Sequence, residues 1–125
     1  MPAYDASFNP PAPVVDVAII NPVRRSEFSI LRGKLDTGAD ITVIPEQMVG
    51  QLGIRPKGRV WTRGYDGTYV HRLVYYVRLK LENFELKSVR CIASDRSDVL
   101  LGRNVLNRFY IILDAKRLTF ELKLS

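Results

Sequence analysis

Arg32-Gly33-Lys34-Leu35-Asp36-Thr37-Gly38-Ala39-Asp40-Ile41-Thr42-Val43-Ile44-Pro45 is the stretch on which the reading of this chain turns. Strand-like residues run into an acid, a hydroxyl and a glycine, and a second short apolar run follows. Such a turn pushes one carboxylate out at the end of a strand. Gly38 frees the backbone there, and Thr37 offers a donor and an acceptor that can pin the loop to a neighbour. A second apolar run with a glycine follows at Val99-Leu100-Leu101-Gly102-Arg103-Asn104-Val105-Leu106, but it holds no acid. An apolar strand, a glycine turn and a helix thus occur twice, at Leu35 to Leu52 and at Val99 to Phe109. That echo implies an internal pseudo-twofold in an all-β, barrel-like domain, in which only the first copy kept a carboxylate.

The Leu35-Asp36-Thr37-Gly38-Ala39-Asp40 string resembles the active-site signature of the retropepsins, the single-lobe, dimeric aspartic proteases of retroviruses and their cellular and bacterial relatives. Leu100 to Leu106 resembles that family's second hallmark, and Trp61 to Tyr76 looks like its flap hairpin. The resemblance covers residues 14 to 124 and is closest in pattern to the cellular and bacterial members. It implies a closed all-β barrel with one or two short helices and one lobe per chain.

It also implies roles. Asp36 would be the catalytic acid, supported by Thr37, Gly38 and Ala39 in the active-site loop. Thr37 would hydrogen-bond across a twofold, and Gly38 would offer its carbonyl to substrate. Asp40 would bind the substrate backbone and pair with Arg103; the alternative is an ion pair that serves the fold alone. Asn104 would cap or brace its helix. Tyr65, Asp66, Gly67 and Thr68 would form the flap tip and close over an extended peptide. Compared with viral members this tip is less glycine-rich, so a stiffer flap is expected.

The chemistry fits a lone acid per chain only if chains pair. Hydrolysis of a peptide without a metal or a nucleophilic side chain needs an activated water and a proton donor to the leaving amine. Two carboxyl groups about 3 Å apart hold one proton between them and supply both functions, as in the aspartic proteases that serve as the standard example. Pepsin-like enzymes carry two such loops in one long chain. With 125 residues and one loop, the second acid must come from another copy, so a homodimer acting on an extended peptide or protein is expected. Ala39 brings no side-chain donor to the carboxylate, which leads to the expectation of an optimum milder than that of stomach-type enzymes.

Composition narrows the field. The 125 residues make one domain. Nineteen Lys and Arg against 13 Asp and Glu give a net charge of +6, densest at Arg55, Lys57, Arg59 and Arg63. That reads as a solvated basic face; no RNA-binding or helix-turn-helix pattern accompanies it, so no nucleic acid is expected as a partner. Cys91 is the lone cysteine, which excludes an intrachain disulfide. It alternates with Val89 and Ala93 as a core residue would, and the one histidine, His71, falls in the hairpin, so neither a thiol enzyme nor a zinc site is expected. No metal and no cofactor are expected. No apolar signal region opens the chain, and no apolar run approaches the roughly 20 residues that span a bilayer. A cytoplasmic protein, or a soluble domain of a larger one, is the expectation.

Four of the seven prolines lie in residues 1–13, which read as an arm or linker ahead of a domain at residues 14–125. Within that domain Asp66-Gly67 marks a hairpin turn. A shift of apolar phase between Leu86 and Val89 marks a bulge. Leu118, Phe120, Leu122 and Leu124 form a final alternating strand, expected at the dimer contact. Besides a protease, two readings stand: a catalytically weak dimerisation or peptide-binding domain of a larger protein, and a basic nucleic-acid-binding barrel.

Overall fold

Val14–Ile20 (β1) sends Val15, Val17 and Ile19 inward, and Phe28–Leu35 (β2) returns antiparallel with Val17 opposite Leu31. The computed structural model describes residues 2–63 and 66–124. After the Asp36 loop come Thr42–Pro45 (β3), the helix Glu46–Gln51 (α1), Gly58–Arg63 (β4), Tyr69–Leu81 (β5), Phe84–Ser94 (β6) and Val99–Leu101 (β7). The short helix Arg103–Leu106 (α2) leads to Tyr110–Asp114 (β8) and Thr119–Lys123 (β9). The expected all-β class with two short helices is what is found.

Strand order is β1-β2-β7-β3-β6-β5, and β5 pairs back onto β1 to close a six-stranded barrel. Closure leaves these six strands no open edge. β4 continues outward from β5 alone, while β8 and β9 form a separate two-stranded sheet. The halves interleave through two parallel pairs, β2 with β7 and β3 with β6, joined where Val43 faces Leu100 across β3 and β7. This interleaving brings the two glycine turns together. Ile19, Ile44, Val77, Leu79, Leu101 and Phe120 are fully or almost fully buried in one core.

The expected bulge lies between Val77/Val89 and Leu79/Leu86, where one residue of β5, Arg78, faces two of β6, Lys87 and Ser88. Pro45 ends β3 and caps α1 one position earlier than a first-turn proline would, and Gly53 stops the helix at φ +67°. α2 is a single turn rather than a helix to Phe109; Asn107, Arg108 and Phe109 continue it as hydrogen-bonded turns. Cys91 is fully buried in β6, and burial pushes its thiol up to about 12, so it stays protonated.

The expectation for β9 needs correction. Phe120 and Leu122 are 0% and 5% exposed, spent on the core of their own chain rather than held for a partner. Alternation in β9 reported a buried face, and the barrel beneath covers it. Arg78 of β5 is 9% exposed. Its strand is flanked by β1 and β6, and its Nη1 donates to Glu85 Oε1 at 2.7 Å, which holds the Glu85 carboxyl below its usual range. Residues 2–5 lie along β9: Tyr4 N–H donates to the Leu118 carbonyl, Phe120 N–H to the Pro2 carbonyl, and the Tyr4 and Phe120 rings sit 6.1 Å apart. Arg32 also holds Asp5 at 3.1 Å. The arm is docked on the domain. No helix of the described residues is long and apolar enough to cross a membrane.

Candidate active site

Leu35 ends β2 buried, and the next residue leaves the barrel wall. Asp36 N–H donates to the Leu101 carbonyl at 3.0 Å, so the acid starts from the seam between the two halves. Gly38 N–H donates to Asp36 Oδ1 at 2.9 Å, and Ala39 N–H to the Asp36 carbonyl at 3.3 Å. The turn therefore curls around its own carboxylate and fixes the rotamer from one side. Asp36 is half-buried, while Thr37, Gly38 and Asp40 are exposed and Ala39 is half-buried.

The second glycine turn supplies the rest of the clamp. Arg103 N–H donates to the Ala39 carbonyl at 2.8 Å, and Arg103 Nη1 donates to the Thr37 carbonyl at 2.9 Å. The guanidinium is thus committed to loop backbone, and among the described residues it forms no ion pair with Asp40. Arg103 does meet the Asp36 loop, but through carbonyl groups. A planar donor with its N–H groups in a fixed fork suits that task.

Beneath the loop lies a network that sequence reading missed. Thr42 is fully buried; its hydroxyl donates to Asn104 Oδ1 at 2.8 Å and accepts from Gly102 N–H at 3.1 Å. Thr42 N–H donates to the same Asn104 oxygen at 3.0 Å, and Asn104 Nδ2 donates to the Arg90 carbonyl at 2.8 Å. Asn104, expected to cap or brace α2, binds β3 to β6 instead of capping a helix end. The one signal in the chain was a hydroxyl set inside the apolar run Ile41-Thr42-Val43-Ile44. Gly102 is there for space: a Cβ would stand 2.6 Å from the Ile41 carbonyl carbon.

β4 and β5 form the hairpin expected between the two motifs, with Arg63 opposite Tyr69 and Trp61 opposite His71. The Trp61 and His71 rings stack at 4.5 Å. Asp66 Oδ1 accepts from Thr68 N–H at 3.0 Å and from Thr68 Oγ1 at 2.7 Å, and these bonds hold its carboxyl below the usual range. Gly67 sits at φ +82°, a conformation that favours glycine. Asp66, Gly67 and Thr68 are therefore brought together as a self-bonded turn; Tyr65 lies outside the described residues. Among the described residues no three of His, Cys, Asp and Glu converge as a metal site.

A family model described as "gag-polyprotein putative aspartyl protease" matches residues 30–108, a segment that contains both glycine turns and the hairpin. No curated protein sequence matches the chain. Among solved structures, a retropepsin-like aspartic protease from Rickettsia conorii is 18% identical with a TM-score of 0.64, covering 97% of this chain and 87% of that one. Simian foamy virus protease is 21% identical with a TM-score of 0.57, covering 75% and 91%. The retroviral protease-like domain of Ddi1 from Leishmania major is 13% identical with a TM-score of 0.52, covering 87% of each. At these identities the likeness is one of fold.

Proposed function

The chain belongs to the gag-polyprotein aspartyl protease family, and from that premise we propose that it is an aspartic endopeptidase that works as a homodimer, with residues 14–125 as the catalytic domain. One observation carries the reading: Asp36 is held at the seam of the two halves, yet the facing turn offers Leu101 and Gly102 and no second acid. A twofold pairing of Asp36 loops supplies the missing carboxyl group.

In that pair one carboxylate is ionised and the other protonated. The ionised group takes a proton from water as the water oxygen attacks the scissile carbonyl carbon. The protonated group donates to the carbonyl oxygen and stabilises the tetrahedral intermediate. Collapse breaks the C–N bond and the leaving amine departs with a proton from the pair, which returns to one shared proton. Thr37, exposed at the loop, pairs with its copy; Gly38 and Asp40 present a carbonyl and a carboxylate to substrate. The β4–β5 hairpin acts as the flap, with the turn around Asp66, Gly67 and Thr68 at its tip.

With Phe120 and Leu122 committed to the core, the twofold contact falls to the exposed side chains of the β8–β9 sheet and its ends. Tyr110, Ile112, Leu113, Leu118 and Leu124 are each 41–67% exposed. β8 has one free edge, and an antiparallel β8–β8 seam would continue the sheet across the twofold. Digestion of a peptide library by the wild type beside Asp36→Asn tests the function. Cleavage by the first and none by the second is expected. No cleavage by either would favour the peptide-binding or dimerisation role instead.

A further inference from the structure

A cleft of about 620 Å³ opens between the turn that follows β1 and the segment that joins α1 to β4. Asn21, 5% exposed, fixes both walls: its Nδ2 donates to the Leu52 carbonyl at 2.8 Å, and its Oδ1 accepts from the N–H groups of Val23 and Arg24. The floor is apolar, with Val49 and Ile54, and Tyr76 stands in it half in water. The charged lining is Arg24, Arg55 and Lys57, with no acid. The lining does not include Asp36, so this cleft is separate from the candidate active site.

The cleft runs on into an open strand edge. Lys57 N–H still donates to the Val74 carbonyl, and β4 begins at the next residue. β4 pairs only with β5, so its far edge presents unpaired backbone groups, flanked by exposed Arg59 and Arg63. Among the described residues none of these five cations has a carboxylate partner. Charges along an edge guard it against chance pairing. That role does not call for Arg24, which comes from another turn, nor for a walled apolar cleft at the end of the edge.

We propose that the cleft and the β4 edge together bind an acidic, extended peptide segment. The segment adds to β4 through its backbone, places carboxylates against Arg59 and Arg63, and ends in the cleft, where an acidic side chain meets Arg24, Arg55 and Lys57. A free small anion would need the cleft but not the edge; a polynucleotide would need the cations but neither the edge nor the apolar floor. As an account of how a substrate is recruited away from Asp36 this rests on the peptidase reading, whereas the binding itself does not.

The experiment uses the full chain carrying Asp36→Asn, so that nothing is cut and the result is independent of catalysis. Fluorescence anisotropy follows a labelled peptide of alternating glutamate and threonine, and its glutamine–threonine counterpart. The glutamate peptide should bind, weaken as salt rises, and exceed the glutamine peptide by about tenfold. Adding Arg24→Ala, Arg55→Ala and Lys57→Ala together should weaken binding about tenfold. The charge-matched control Lys80→Ala, Lys87→Ala and Lys116→Ala should leave it unchanged. The three control lysines lie outside the cleft, so equal loss in both triples would mean that net charge alone is read, and would overturn the proposal. So would tighter binding of a single-stranded oligonucleotide of equal charge that is lost in the cleft triple.

Discussion

The two glycine turns of the barrel occupy equivalent places in their halves and do opposite work. The first, at Asp36 to Ala39, is partly open: a Cβ on Gly38 would meet only Asp36 Oδ1, at 3.2 Å. The second is buried and tight: a Cβ on Gly102 would run into the Ile41 and Thr42 backbone at 2.6 to 2.9 Å. One turn exposes a carboxylate, and the other, through Leu101, Gly102, Arg103 and Asn104, holds it in place. In the proposed peptidase reading the first turn is the reactive copy of the repeat and the second is its scaffold.

Substitutions that separate the two turns sharpen this contrast. Asp36→Asn should lower peptide cleavage by at least about a thousandfold, some 4 kcal/mol of barrier, with the melting temperature unchanged, since the amide keeps the acceptor for Gly38 N–H. Gly102→Ala should do the reverse and destabilise the fold by about 3 kcal/mol, because backbone rather than a flexible side chain must move. Urea unfolding reads that loss, and a midpoint equal to wild type would break the assignment of the second turn as scaffold. Thr42→Val keeps the shape but strips Gly102 N–H of its acceptor and Asn104 of a donor, at a cost of about 1–3 kcal/mol. Gly38→Ala should change stability least, by under about 1 kcal/mol, while crowding the carboxylate; activity falling more than stability is the expected signature.

The first turn was legible because it is local. Asp36, Thr37 and Gly38 are neighbours in the chain, and strand alternation around them needs no distant partner to be read. The β6 bulge was legible for the same reason, from Leu86 and Val89 falling out of phase. The second turn's task was not legible, since it rests on contacts such as Thr42 with Asn104 and Gly102, about which spacing in the chain says nothing. Pairing of Arg103 with Asp40 was a reasonable match of charges, yet the Thr37 carbonyl is the group the guanidinium reaches. Phe120 and Leu122 show a further limit: alternation reveals that a face is covered, not whether the cover belongs to the same chain. Prolines at residues 1–13 likewise signalled an extended arm, while its docking depended on an edge of β9 far along the sequence.

Mixing tests the central claim most directly. Wild type is held at constant concentration, exchanged with increasing amounts of Asp36→Asn, and assayed for peptide cleavage, while sedimentation follows the mass of the species present. Because a mixed pair carries one acid, activity should fall toward zero as the variant captures wild-type chains, with the mass remaining that of a dimer. Undiminished activity at a large excess of Asp36→Asn, or full activity in a species that sediments as a monomer, would contradict a site shared between two chains.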